Sequence, residues 1–454
     1  MHKFGPANSP KNVLLVNPWI YDFTAYDFWL KPLGLLYVAS ILRENADVRL
    51  HFIDCLDRHH PGLSKKPKSK ADGRGHFPKI EVPKPEILKD VPRKYSRYGI
   101  PLEIFLGELD KIPTPDLVLL TCTMTYWYPG LQLAAELLRK KFGAVPIILG
   151  GIYATLAEDH ARRFSGAERI ITGPAENKIL PAAREILGEK AVREAEFSSL
   201  QDLPRPAFDL LHSKNDLPLL TSRGCPFSCT FCAGPLLYET FEQREPAAVI
   251  AEIADHVGLF KTRNFAFYDD ALLLRRKSHI IPIMEGVVRR KLPVSFHTPN
   301  GLHVREIDQE LADLFWKAGV RTLYLSQEST AENVIRDACP KVSAGDLEKA
   351  VGYLEKAGFR REDINVYLIA GLPNQDAASI RESVLDVRRL GARPRLAYFS
   401  PIPGTRVWKD LVEKGRLKRE ADPLLHNKLV FPYFWADFSP DDYRDLQGLL
   451  NEKN

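Results

Sequence analysis

The chain has 454 residues, 45% of them hydrophobic and 27% charged, and a formal net charge of +5. Such a composition fits a globular protein of two or three domains rather than a disordered one, and no apolar run is long enough to span a bilayer. The charge is too slight to call for a nucleic-acid partner, and residues 1–11 are polar with no signal-peptide core, so a cytoplasmic protein is expected.

Strand and helix alternate through the first part. Apolar runs at 12–16, 48–53, 117–120, 146–149 and 169–171 read as strands, and the stretches 35–43, 131–142 and 176–187 as helices. This alternation predicts an α/β domain over residues 1–195, a doubly wound Rossmann-like parallel sheet. The segment 59–97 interrupts it. Rich in Lys and Pro and without a period, it reads as a solvated insertion or flexible loop; the alternative is a lid that orders over a cofactor. Residues 196–216, with Pro204 and Pro206, read as an inter-domain linker.

A second alternating series succeeds it. Strands are expected at 217–221, 264–268, 294–297, 322–326, 365–369 and 396–400, with helices between them at 278–290, 307–318, 344–357 and 378–390. Six such units over 217–405 predict a partial (β/α)6 barrel, a partial TIM barrel whose site forms at the carboxyl ends of the strands. Residues 406–454 form a short C-terminal segment, whose aromatic stretch 431–438 is expected to pack against the barrel.

Three of the six cysteines crowd into Ser222-Arg-Gly-Cys225-Pro-Phe-Ser-Cys229-Thr-Phe-Cys232, a C-x3-C-x2-C spacing just after the first barrel strand. In a reducing compartment this crowding points to metal rather than disulfides. Three thiolates can hold three irons of a cubane and leave the fourth without a protein ligand, as catalysis requires. The competing reading is a structural zinc site, but that wants a fourth ligand nearby, and no Cys or His follows within the loop. Cys55, Cys122 and Cys339 read as small buried residues; Cys339 is the first to consider if one of them is catalytic. His160 and His297 read as structural.

The cysteine motif, with Phe231 at its aromatic position, resembles that of the radical S-adenosylmethionine (SAM) superfamily. The resemblance implies a [4Fe–4S] cluster on Cys225, Cys229 and Cys232. It also implies chelation of S-adenosylmethionine by the open iron, and one-electron cleavage to a 5′-deoxyadenosyl radical fed by a reducing donor such as flavodoxin or ferredoxin. Downstream segments match in order. Tyr268-Asp-Asp270 ends the second strand, and the resemblance implies that Asp270 meets the methionine amine; its other reading is a helix N-cap. Ser326-Gln-Glu328-Ser is similar to a G-x-E-S segment, which implies ribose or methionine contacts for Ser326 and Glu328. Ile369-Ala-Gly371-Leu-Pro is similar to a segment passing adenine, where Gly371 permits close backbone approach. Pro401-Ile-Pro-Gly-Thr405 matches a P-x-P-G-T segment.

A doubly wound sheet ahead of such a barrel resembles the cobalamin (B12)-binding radical SAM enzymes. The resemblance implies a corrinoid over the carboxyl ends of the first sheet. Thr121 and Thr123 would line its tail pocket, and Gly150 and Gly151 would allow backbone approach; the glycine pair also reads as an ordinary strand-to-helix turn. The loop 17–24 departs from the D-x-H-x-x-G pattern and offers no His to cobalt. Trp19, Tyr21, Tyr126, Trp127 and Tyr128 either wall a corrinoid or a planar substrate, or pack a domain interface. Cobalamin-dependent methylation of an unactivated carbon is the activity this resemblance implies. The alternatives are radical cyclisation or rearrangement and, as a non-enzyme, a cobalamin carrier or sensor. The methylthiolation of tRNA is disfavoured, because those relatives carry further cysteines in their first domain. The substrate is not legible.

Overall fold

The computed structural model describes residues 9–338, 343–373, 375–430 and 439–451. The chain divides into two compact units, Met1–Lys214 with Asp422–Leu424, and Asn215–Ala421 with Leu425–Asn454. Among the described residues no helix is long and apolar enough to cross a membrane.

The first unit contains strands β1 (Lys11–Asn17), β2 (Ile20–Asp22), β3 (Val48–Asp54), β4 (Lys79–Glu81), β5 (Ser96–Tyr98), β6 (Leu117–Thr121), β7 (Ile147–Gly150) and β8 (Arg169–Ile170). Five of them form one sheet in the order β3-β1-β6-β7-β8, every pair parallel. Val13, Leu14, Leu15 and Val16 are fully buried, because a central parallel strand has both faces covered and so reads as an unbroken apolar run. The helices Leu33–Asn45 and Ile179–Leu187 seal one face with Leu42, Ala183 and Leu187. Taken in chain order the sheet runs 2-1-3-4-5. The direction of winding reverses between β1 and β6, and ligands bind such sheets at that crevice, outside the carboxyl ends of the strands.

The insertion 59–97 is not a structureless loop. Its strands β4 and β5 pair antiparallel, and β5 pairs in turn with β2. Phe77 and Tyr98 join Ile20 and Leu56 in a small apolar cluster. Arg58, at the entry to the segment, is buried; it donates to Asp27 Oδ2 at 2.7 Å, to the Ser69 hydroxyl at 2.7 Å and to the Gly73 carbonyl. A few large residues and one buried guanidinium therefore order a stretch whose average composition is that of a loop. The expected linker is also packed: Ala207 belongs to the core of the first unit, with Phe197, Leu203 and Leu210 against it.

The second unit contains β9 (Asp216–Leu219), β10 (Ser222–Arg223), β11 (Glu242–Gln243), β12 (Asn264–Phe267), β13 (Ser295–His297), β14 (Leu302–His303), β15 (Val320–Glu328), β16 (Ile364–Ala370) and β17 (Arg393–Tyr398). Six run parallel in the order β17-β16-β15-β13-β12-β9, with β14 pairing parallel to β15. This is the expected partial barrel with six βα units. The last strand begins three residues before its expected start and includes Pro394, which an edge strand tolerates. The helices Arg406–Glu413 and Pro440–Asn451 pack Trp408, Leu411, Tyr443 and Leu446 into the core of this unit. The aromatic stretch 431–438 and Cys339 lie outside the described residues.

Candidate active site

The cysteines occupy a loop closed at its base by the antiparallel pair β10–β11, in which Ser222 faces Gln243 and Arg223 faces Glu242. Gly224 enters the loop with φ +82°, and a Cβ there would lie 2.4 Å from the Thr240 carbonyl oxygen, so only glycine fits. Further along, the Thr230 N–H donates to the Ala338 carbonyl at 3.1 Å, and the Thr230 carbonyl accepts from the Val407 N–H at 3.1 Å. Phe231 packs into the apolar cluster of Leu372, Val407 and Leu411. The loop is thus fixed at its base, at its middle peptide and by one aromatic side chain, while Cys225 and Cys229 are half-buried and Cys232 meets solvent. The Cys232 thiol accepts from the Gly234 N–H at 3.3 Å. Surrounding protein pushes its pKa up; the Gly234 hydrogen bond opposes this, and the charges of Cys229, Asp270 and Cys225 add to it.

Among the described residues, no three His, Cys, Asp or Glu side chains converge where one metal ion would sit. Three thiolates on one loop can each take a different iron of a cubane.

Because the barrel strands are parallel, the remaining candidates share its carboxyl end. Asp269 and Asp270, just past β12, divide the work. Asp269 is buried and accepts from the hydroxyls of Thr221 and Ser222, both at 2.6 Å, while Thr221 also lies 2.9 Å from His279 Nε2. Burial pushes the Asp269 carboxyl up to about 6 and the His279 imidazole down to about 4. Asp270 is exposed, its pKa raised by partial burial against a lowering hydrogen bond from the Gly224 backbone. It stands beside the cysteine loop and is free to face a ligand.

Ser326 is buried, and Gly301 packs so closely on it that a Cβ would lie 2.3 Å from its Oγ. Between Ser326 and Glu328 the register with β16 shifts, and Glu328 holds φ +67°. A left-handed backbone at a non-glycine residue is costly, and such strain gathers where a side chain must be aimed. Gly371 has φ +96°, and its loop is organised by Gln375. That side chain accepts from the N–H of Gly371 at 2.9 Å and of Leu372 at 3.2 Å, and donates to the Ile369 carbonyl at 3.1 Å. Thr405, in the P-x-P-G-T segment, caps the helix Arg406–Glu413 by accepting from the Trp408 N–H. The sequence reading missed Asp269, His279 and Gln375. Alternation along a strand pointed to Asp269, since neighbours of a solvent-facing Asp270 face the other way.

In the first unit, Thr121 is buried at the end of β6 and Thr123 is half-buried beyond it. Gly151 holds φ +96°, and a Cβ there would lie 2.8 Å from Thr121 Oγ1 and 2.9 Å from the Cys122 carbonyl oxygen. Gly151 is therefore needed for the turn itself. Gly150 is different: the nearest atom to its would-be Cβ is the Ile171 carbonyl oxygen at 3.9 Å, which leaves room above the strand end. Met124, just past the end of β6, is 40% exposed. An open strand end at the carboxyl edge of a parallel sheet can take a large planar cofactor. Trp19 and Tyr126 are buried within this unit and do not wall such a group; the Trp19 indole N–H donates to the Ile100 carbonyl at 2.6 Å. Burial pushes the Cys122 thiol up to about 12 and the Cys55 thiol well above its ordinary value, so both are inert packing residues. His297 is held by Thr322 and Asn264, and His160 by Tyr153.

The family model described as the Radical SAM superfamily matches residues 219–387, from the end of β9 into the helix Ala377–Arg389. Residues 219–387 form a radical SAM domain. A radical SAM enzyme of this kind holds a [4Fe–4S] cluster, uses S-adenosylmethionine and needs a reductant. An uncharacterized methyltransferase, PH0819, of Pyrococcus horikoshii is 21% identical over 414 residues, covering 85% of this chain and 79% of that one. A bacteriochlorophyllide d C-12(1)-methyltransferase of Chlorobaculum tepidum is 23% identical over 285 residues, or 60% of each chain. Among solved structures, the radical SAM methyltransferase TsrM of Kitasatospora setae, with cobalamin and a [4Fe–4S] cluster bound, superposes with a TM-score of 0.67 at 16% identity, covering 97% of this chain and 91% of that one. That likeness is one of fold, and it extends to both units of this chain.

Proposed function

We propose that this protein is a cobalamin-dependent radical SAM methyltransferase acting on an unactivated carbon. The observation that carries the reading is the pairing of a fixed cysteine loop at the mouth of a partial barrel with a 2-1-3-4-5 sheet whose strand end is open above Gly150. Methyltransferase names among the relatives and the cobalamin bound in TsrM support it. When bound, the cluster with S-adenosylmethionine supplies hydrogen abstraction by a 5′-deoxyadenosyl radical, and cobalamin supplies the methyl group.

The chain's own residues bind and orient. Cys225, Cys229 and Cys232 hold the cluster. Asp270 orients the methionine amine, while Ser326 and Glu328 position the nucleoside, Glu328 through its strained backbone. Gly371 lets the backbone pass the adenine, and Phe231 anchors the cysteine loop from behind. In the first unit Thr121 and Thr123 frame the tail pocket and Gly150 leaves room for it. The loop 17–24 carries no His that would be offered to cobalt. The reductant is a flavodoxin or ferredoxin, and we place the enzyme in the cytoplasm, where thiols stay reduced.

Purification without oxygen from cells supplied with cobalamin, with iron and cobalt analysis and an absorption spectrum, tests the reading. Cobalt stoichiometric with the chain supports it. Iron without cobalt retires corrinoid methylation and leaves radical cyclisation or rearrangement. A carrier or sensor has no use for a cysteine triad that leaves one iron open, and is not favoured.

A further inference from the structure

Beside the cysteine loop the second unit carries an open cleft of about 930 Å³ including its mouth. Its floor is largely apolar, formed by Val334, Ala338, Leu372, Val407 and Leu411 with the buried Gln375 among them. Among the described residues its rim carries the cations Arg406, Lys414 and Arg416 and the carboxylate Asp410. All four rim residues are exposed. The wall of the cleft toward the site is Thr230, the peptide hydrogen-bonded to Ala338 on one side and Val407 on the other. Thr230 is bonded directly to Cys229 and is two residues from Cys232. No other residue of the cysteine loop lines the cleft.

We propose that this cleft is the docking surface for the protein that reduces the cluster, a small acidic one-electron carrier. The inference rests on the cluster reading above, since an electron is needed here only if the cysteines hold one. A largely apolar floor with a cationic rim matches a carrier whose redox group emerges between acidic side chains, and opposite potentials both orient such an encounter and speed it. Docked there, the carrier meets Thr230, which is bonded directly to the cluster ligand Cys229. The step balances: the carrier loses one electron, the cluster gains it, and no proton or bond changes hands.

The experiment uses the full chain with its cluster reconstituted anaerobically, and a bacterial flavodoxin reduced to its hydroquinone as probe. Binding is read by fluorescence anisotropy of labelled flavodoxin, and reduction by stopped-flow bleaching of the cluster absorbance, each at low and high salt. The triple variant Arg406→Glu/Lys414→Glu/Arg416→Glu is expected to weaken binding and slow reduction by about tenfold or more, the range steered encounters lose. Its reduction by dithionite should match wild type. Neutral Gln replacements at the same positions should give an intermediate loss that shrinks as salt rises. Flavodoxin binding unchanged in the folded triple variant, or a loss equalled in the dithionite reaction, overturns the proposal, as does a cleft that only pairs two copies of the chain by sedimentation. Binding is measured whatever the iron content, so a missing cluster would count against the radical SAM reading while the docking result stood on its own.

Discussion

Asp269 Oδ1 lies 2.6 Å from the Ser222 hydroxyl, and this bond ties the end of β12 to the first residue of the ribbon that closes the cysteine loop. A buried carboxylate between two hydroxyls fixes the loop base without touching a thiol. Its raised pKa has a definite pH consequence. The folded state holds the Asp269 proton more tightly than the unfolded chain does, so this group's stabilising contribution is full below the usual carboxylate range and is lost as pH rises through about 6. The His279 imidazole, lowered to about 4, works oppositely, adding stability as pH rises from there toward its unfolded value. Asp269→Asn removes only the first effect. Wild type is therefore expected to lose stability relative to Asp269→Asn between pH 4 and pH 6; chemical denaturation across that range, giving a constant difference, would contradict it.

Gly224→Ala places a Cβ against the Thr240 carbonyl oxygen at a backbone angle that favours glycine. The strain of such a site, about 1–3 kcal/mol, falls on the β10–β11 ribbon. The expected result is a chain that folds but retains less iron after reconstitution than wild type. Full iron retention would show that the ribbon does not set the loop.

The insertion gives a test remote from the barrel. Asp27→Ala leaves the Arg58 guanidinium buried without its carboxylate, and breaking a buried pair from one side costs about 3–5 kcal/mol. Its melting temperature should fall markedly, and protease should gain access to residues 59–97. A variant as stable and as resistant as wild type would mean the insertion is not held this way.

Glu328→Gly releases a left-handed residue from strain, so its stability should hold or rise by about 1 kcal/mol while S-adenosylmethionine binding weakens. Equilibrium dialysis with labelled S-adenosylmethionine, alongside a thermal melt, separates the two effects. Loss of stability with unchanged binding would assign Glu328 to the fold alone.

Much of this was legible in the residues. The unbroken apolar run at 13–16 and the spaced strands from 217 onward announced parallel sheets, because burial on both faces leaves no polar alternation to hide them. The cysteine spacing points to a metal loop for a chemical reason: three thiolates so close in sequence can all reach one cubane from a single loop. The insertion was misread because its order comes from long-range pairing of β5 with β2 and from Arg58 meeting Asp27, neither visible in a local window. The roles of the two aspartates were split by burial, a tertiary property that identical neighbouring letters cannot carry. Gly151 looked like a cofactor contact and is required by the turn against Thr121, while the adjacent Gly150 remains open.

The most direct test of the central claim is to compare wild type with Cys225→Ala, Cys229→Ala and Cys232→Ala after anaerobic reconstitution, measuring iron per chain and 5′-deoxyadenosine released from S-adenosylmethionine under a strong reductant. The account predicts about four iron atoms and steady release in wild type, with both lost in each variant although all four proteins melt alike. Well-folded wild type without iron, or cysteine variants that still release 5′-deoxyadenosine, would contradict it.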